Sequence, residues 1–204
     1  ELDSPDGDQG YPGAVHIEVT YTLTEDNAVK IAYHAVPDAD TIINMTNHSY
    51  FNMDGHASGD VLDQEVWIDA DAFTRADAES IPTGEITPVE GTPMDFRKMK
   101  KIGQDIGVDF EQLKFVGGYD HNFVLDKADG TMQLAARARS EKSGICMDVY
   151  TDCVGIQLYA GNFIGKQTGK GGASYDSRHA FCLETQYFPN AVNEPNSKSP
   201  VLHV

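Results

Sequence analysis

Residues 14–23 read "AVHIEVTYTL", and their alternation decides the fold class. Val15, Ile17, Val19, Tyr21 and Leu23 share one side while His16, Glu18, Thr20 and Thr22 share the other, the period of two that marks a half-buried strand. After the turn residues Glu25, Asp26 and Asn27 the pattern resumes at Val29, Ile31 and Tyr33, which predicts a β-hairpin. Working outward, the same reading predicts strands in "TIINMT" (41–46), "EVWIDA" (65–70), "HNFVLD" (121–126), "TMQLAARARS" (131–140), "ICMDVYT" (145–151), "GIQLYA" (155–160) and "AFCLETQ" (180–186). "PTGE" (82–85) and "EKSG" (141–144) read as turns. A short helix is expected near "IGQDIGVDFEQL" (102–113), but there is no long 3.6-residue periodicity and no βαβ rhythm. The expected class is all-β, an antiparallel sandwich or barrel in one domain over residues 1–204.

The chain carries 32 acidic against 15 basic residues, a formal net charge of −17. That field repels phosphate backbones and anionic headgroups, so neither nucleic acid nor a membrane surface is expected as a partner. The acidic residues are scattered, the pattern of a solvated surface. Cys146, Cys153 and Cys182 lack a C-x-x-C spacing and are odd in number, which reads as reduced and mostly buried thiols. No apolar run approaches the roughly 20 residues of a membrane-spanning helix. A soluble, cytoplasmic protein is the expectation.

Two familiar motifs fail. "GKQTGKGGASY" (165–175) reads as a mobile surface loop, because Gly165, Gly169 and Lys170 are one residue short of a phosphate-loop spacing and Gly171 stands where Ser or Thr is required. "DADAFTRADAES" (69–80) puts Phe73, Thr74 and Ser80 where a calcium loop needs an oxygen ligand, glycine and glutamate. His48 and His56 flank Asp54 without zinc spacing. Neither a metal nor a cofactor is expected.

Four polar residues stand out against this background. In "TNHSYFNMDG" (46–55), His48 has Asn47 and Ser49 to hold its imidazole and Tyr50 and Phe51 to supply an apolar wall, a combination suited to a hydroxyl-rich ligand. Asp120 in "GGYDHNF", Gln157 in "GIQLYAGNF" and Glu184 in "FCLETQ" sit where apolar residues would be cheaper. A carboxylate amid such a strand needs a partner or a task. His121 and Tyr159 are possible further neighbours.

These stretches, with "SPDGDQGYPG", "VTYTLT", "IPTGEI" and "FCLETQYFPNAVNEPN", resemble the aldose 1-epimerase family, the galactose mutarotases, in family order across nearly the whole chain. The resemblance implies a large antiparallel β-sandwich with the sugar in an open cleft. It implies interconversion of the α and β anomers of a free hexose, galactose or glucose, by acid and base catalysis with no cofactor. On the matching motifs Glu184 would be the general base and His48 the general acid, with Asp120 and Gln157 binding the substrate. Family members also carry an amino-terminal portion with a further histidine and an arginine, and a closing strand after the residues matching "SPVLHV". The expectation is therefore a domain truncated at both ends, prone to association or needing the missing segment as a partner. Two alternatives stay open: a carbohydrate-binding sandwich without turnover, and a glycosidase using Asp120 and Glu184 as its carboxyl pair.

Overall fold

A computed structural model of the chain describes residues 1–126 and 129–204. They form two compact units, Glu1–Met45 with Ser199–Val204, and Thr46–Lys198. The first contains β1 (Leu2–Ser4), β2 (Val15–Leu23), β3 (Val29–Pro37) and β4 (Thr41–Ile42). The second contains β5 (Glu65–Ile68), β6 (Ala72–Ala76), β7 (Pro82–Pro88), β8 (Lys100–Lys101), α1 (Glu111–Val116), β9 (Asp120–Val124), β10 (Gln133–Arg139), β11 (Cys146–Thr151), β12 (Gly155–Tyr159), β13 (Gln167–Thr168), β14 (Ser174–Tyr175) and β15 (Cys182–Gln186). The last strand, β16 (Val201–Leu202), belongs to the first unit.

In the first unit β1, β2 and β3 form an antiparallel sheet, with β2 and β3 in register from Val15↔Pro37 to Leu23↔Val29. The expected hairpin is present, closed over Asn27 in the left-handed region at φ 62°. "TIINMT" is strand only at Thr41–Ile42, because its partner β16 offers just two residues to pair with.

The second unit is a sandwich of a four-stranded sheet, β11-β10-β5-β8, and a five-stranded sheet, β15-β12-β9-β6-β7. Val66, Ile68 and Ala136 of the first sheet meet Phe73, Phe123 and Leu158 of the second in one buried core. Burial of each large side chain contributes about 1.5–3 kcal/mol, so this core fixes the sheet beneath the site.

Four local expectations are corrected. "PTGE" opens β7 rather than forming a turn; β7 is an edge strand, where a proline can begin the strand and Gly84 can adopt φ 82° beside a register shift in β6. The helix occupies Glu111–Val116, beyond most of the expected segment, and stops at left-handed Gly117, whose backbone N–H returns to the Leu113 carbonyl. Residues 165–175 are not an irregular loop: β13 and β14 pair as a small hairpin around a 3-10 turn at Lys170–Gly172. All three cysteines are free, yet only Cys182 is buried, Cys153 being intermediate and Cys146 exposed. Among the described residues no helix is long and apolar enough to cross a membrane.

Candidate active site

The segment around His48 is fastened to β15 by backbone pairing. Phe51 and Phe181 exchange hydrogen bonds of 2.8 and 2.9 Å, and the Asn52 side-chain amide donates to the carbonyls of Gly59 and His179 at 2.9 Å each. Alternation does the rest. Phe51 turns inward against Phe181, whereas Tyr50 turns outward and places its ring 5.0 Å from that of His48. Beside His48 the aromatic wall is Tyr50 with Tyr159, whose ring lies edge-on 6.2 Å from it, while partly buried Phe51 packs against the core and also lines the neighbouring cavity.

Three adjacent strands at one end of the five-stranded sheet, the edge strand β15 with β12 and β9, supply the floor. Gln157 of β12 pairs with Glu184 of β15, and Tyr159 pairs with Cys182 on one side and with Asp120 of β9 on the other. Residues directly opposite in a sheet share a face, so Asp120, Gln157, Tyr159, Cys182 and Glu184 project together while Ile156, Leu158 and Leu183 fill the core. His48 closes the group from above. Its Nε2 lies 3.3 Å from Glu184 Oε1 and its Nδ1 lies 3.3 Å from Cys182 Sγ. The Gln157 amide donates to Asp120 Oδ1 at 2.8 Å. The imidazole is thus held by Cys182 and Glu184, while Asn47 Oδ1 accepts the Ser49 backbone N–H at 3.2 Å.

The electrostatics follow from burial. Glu184 is 8% exposed, and desolvation raises its carboxyl above the usual range; the nearby negative charge of Asp120 adds to the rise and His48 opposes it. Asp120 is raised by burial as well, with the Gln157 hydrogen bond and His48 pulling it back. Burial also pushes the Cys182 thiol well up, so it is a neutral S–H at physiological pH. A raised carboxylate is a stronger proton acceptor than an exposed one, and beside an imidazole it forms a pair able to take one proton and give another.

Sequence reasoning singled out His48, Glu184, Asp120 and Gln157, and all four meet here. Tyr159 joins them from the possible neighbours. His121 does not: the next residue along β9 from Asp120, it points to the opposite face, where it is buried with its ring edge-on to Phe73 at 6.1 Å. Cys182 was missed. Its signal was present in the sequence, since it stands two residues before Glu184 and so on the same face of a strand. A cavity of about 820 Å³ opens on the Tyr50 and Tyr159 side, lined also by Phe163, Tyr175 and His56, with His56 Nδ1 2.7 Å from the Tyr175 hydroxyl. Aromatic faces mixed with a few fixed polar groups suit a small polar ligand.

An imidazole and a buried carboxylate meet on one face of an antiparallel β-sandwich, beside an aromatic-lined cavity, an arrangement capable of acid–base chemistry on a small polar ligand. Comparison with known proteins makes this particular: residues 1–204 match the aldose 1-epimerase family, and the chain belongs to it. Among similar proteins, galactose mutarotase of Sus scrofa is 47% identical over 194 residues, covering 95% of this chain and 55% of that protein. Aldose 1-epimerase of Escherichia coli K12 is 38% identical over 199 residues, covering 98% and 57%. The chain thus spans little more than half the length of these relatives. The solved structure of an aldose epimerase homologue from C. elegans superimposes with a TM-score of 0.87 at 32% identity, covering 99% of this chain and 59% of that one. Galactose 1-epimerase from Lactobacillus acidophilus gives 0.81 at 28% identity, covering 99% and 57%.

Proposed function

We propose that the protein interconverts the α and β anomers of a free hexose, galactose or glucose, by opening and reclosing the pyranose ring. The observation that carries this reading is the 3.3 Å approach of His48 Nε2 to a buried, raised Glu184 carboxylate. Glu184 takes the proton of the anomeric hydroxyl as His48 gives one to the ring oxygen. The bond between the anomeric carbon and the ring oxygen breaks and an open-chain aldehyde forms. Rotation about the bond to the second carbon presents its other face, and the two proton transfers reverse. Each assistance is typically worth roughly 10²–10⁴ in rate.

Asp120 and Gln157 hold sugar hydroxyls. Their mutual hydrogen bond orients the carboxylate, and this favours positioning over the glycosidase alternative, in which Asp120 would itself act on a glycosidic oxygen. We place the protein in the cytoplasm, consistent with its three free thiols.

Polarimetry of freshly dissolved α-galactose tests the reading. The expected result is a faster approach to rotational equilibrium than in buffer alone, in proportion to protein concentration. Folded protein that binds galactose and leaves the buffer rate unchanged would return the carbohydrate-binding alternative to first place.

A further inference from the structure

Ring opening has no step for Cys182, yet this buried thiol touches the imidazole that donates the proton. One imidazole nitrogen of His48, the Cys182 sulfur and a Glu184 carboxylate oxygen all lie within 4.8 Å of one another. Zinc bonds of about 2.0–2.1 Å to nitrogen, 2.3 Å to sulfur and 2.0–2.2 Å to oxygen give tetrahedral edges of roughly 3.3–3.6 Å. The 3.3 Å from His48 Nδ1 to Cys182 Sγ already spans such an edge. The longest of the three separations exceeds one by at most roughly an ångström, a gap of the size that small side-chain rotations of the three donors close. Cys182 and Glu184 are held two residues apart on one face of β15, so two of the three donors are preset by the strand.

We propose that His48, Cys182 and Glu184 form a three-ligand site for a thiophilic divalent cation, Zn²⁺ foremost, and that metal bound there inhibits the enzyme by occupying both proton-transfer groups. The nitrogen, sulfur and carboxylate set selects zinc over magnesium or calcium, which prefer oxygen ligands throughout. On ligation the thiol proton passes to solvent, and Cys182 and Glu184 bind as anions with a neutral imidazole. Two buried negative charges then meet a dication, and the complex is locally neutral. Three protein donors leave the fourth position of a tetrahedral ion for water or a sugar hydroxyl. Sequence spacing hid this group because His48 and Cys182 are 134 residues apart. The inhibitory half of the proposal rests on the function proposed above; the binding half does not.

Two measurements test it. Titration with Co²⁺, a spectroscopic stand-in, should produce a thiolate charge-transfer band and tetrahedral visible absorption at one equivalent, both removed by Zn²⁺. Polarimetry with low-micromolar Zn²⁺ should show at least a tenfold loss of rate, restored by a chelator. Cys182→Ser, checked as folded by circular dichroism, should lose the charge-transfer band and weaken zinc binding at least tenfold, and His48→Asn should weaken it comparably. An active enzyme indifferent to excess Zn²⁺ overturns the inhibitory site while leaving the proposed function standing. Cobalt bands that survive Cys182→Ser and vanish in Cys146→Ser or Cys153→Ser overturn the ligand assignment. Cobalt bands lost with Cys182 in a protein without metal-free mutarotation support the site and count against the function alone.

Discussion

His48 Nε2 stands 3.3 Å from Glu184 Oε1, although the imidazole is half exposed and the carboxylate almost wholly buried. The two sit on different kinds of support. Glu184 is fixed by a strand in the middle of its pairing, whereas His48 rides on an irregular segment pinned at Phe51. In the proposed mechanism the half-exposed imidazole and the buried carboxylate reach the two oxygens of one sugar ring from the same side of the sheet.

Replacing His48, the acid of the proposed mechanism, should separate turnover from binding. His48→Asn keeps a hydrogen-bond donor but cannot transfer its proton, so kcat for galactose mutarotation is expected to fall about 10²-fold or more while KM changes only a few-fold. A rise in KM at unchanged kcat would make His48 a binding residue.

The amide of Gln157 holds Asp120 through a charge-assisted hydrogen bond at 2.8 Å. Such a bond contributes about 1.5–3 kcal/mol, so Gln157→Ala should raise KM about tenfold or more and lower kcat less. Equal falls in kcat and kcat/KM at unchanged KM would point to a role in proton transfer instead.

Acid should silence the enzyme earlier than an ordinary carboxylate would. In the proposed mechanism Glu184 must be ionised to act as base, and burial and Asp120 raise it, so kcat/KM is expected to fall as pH drops through a midpoint above the usual glutamate range. Asp120→Asn removes the repelling charge, and the acid limb should move to lower pH. A limb that stays in place, or moves upward, would mean that Glu184 is not the titrating group.

On the opposite face of β9, burial holds His121 neutral by pulling it from 6.5 down to about 4. A lowered histidine stabilises the fold fully above its unfolded pKa and loses that contribution as pH falls through its folded one. Between pH 6.5 and 4 this costs on the order of 3 kcal/mol. Proton NMR titration of the His121 ring should show little change above pH 5. Titration near 6.5 would contradict the burial.

Strand alternation made most of the sheet legible: β2, β3, β5 and β9 to β12 with β15 lie where period-two patterns place them. It failed where a ladder depends on a distant partner. "TIINMT" could not announce that β16 pairs with only two of its residues, and β6 carries a single large apolar residue, Phe73. Pro82 and Gly84 concealed an edge strand because such residues mark turns unless the unseen edge tolerates them. At the site, His48 and Glu184 were legible as a costly polar group in each stretch and through motif resemblance. Cys182 carried a weaker signal, its place two residues before Glu184 on one strand face, which says nothing of the contact with His48 134 residues away.

Glu184→Gln offers the most direct test, since an amide keeps the shape of the side chain but cannot accept the anomeric proton. In the protein carrying these residues, polarimetry of fresh α-galactose should show kcat lowered by about 10²–10⁴, with galactose binding by calorimetry still measurable and the thermal midpoint not lowered. Near-normal turnover by the folded variant would contradict the assignment of Glu184 as the base, and with it the mechanism proposed for this site.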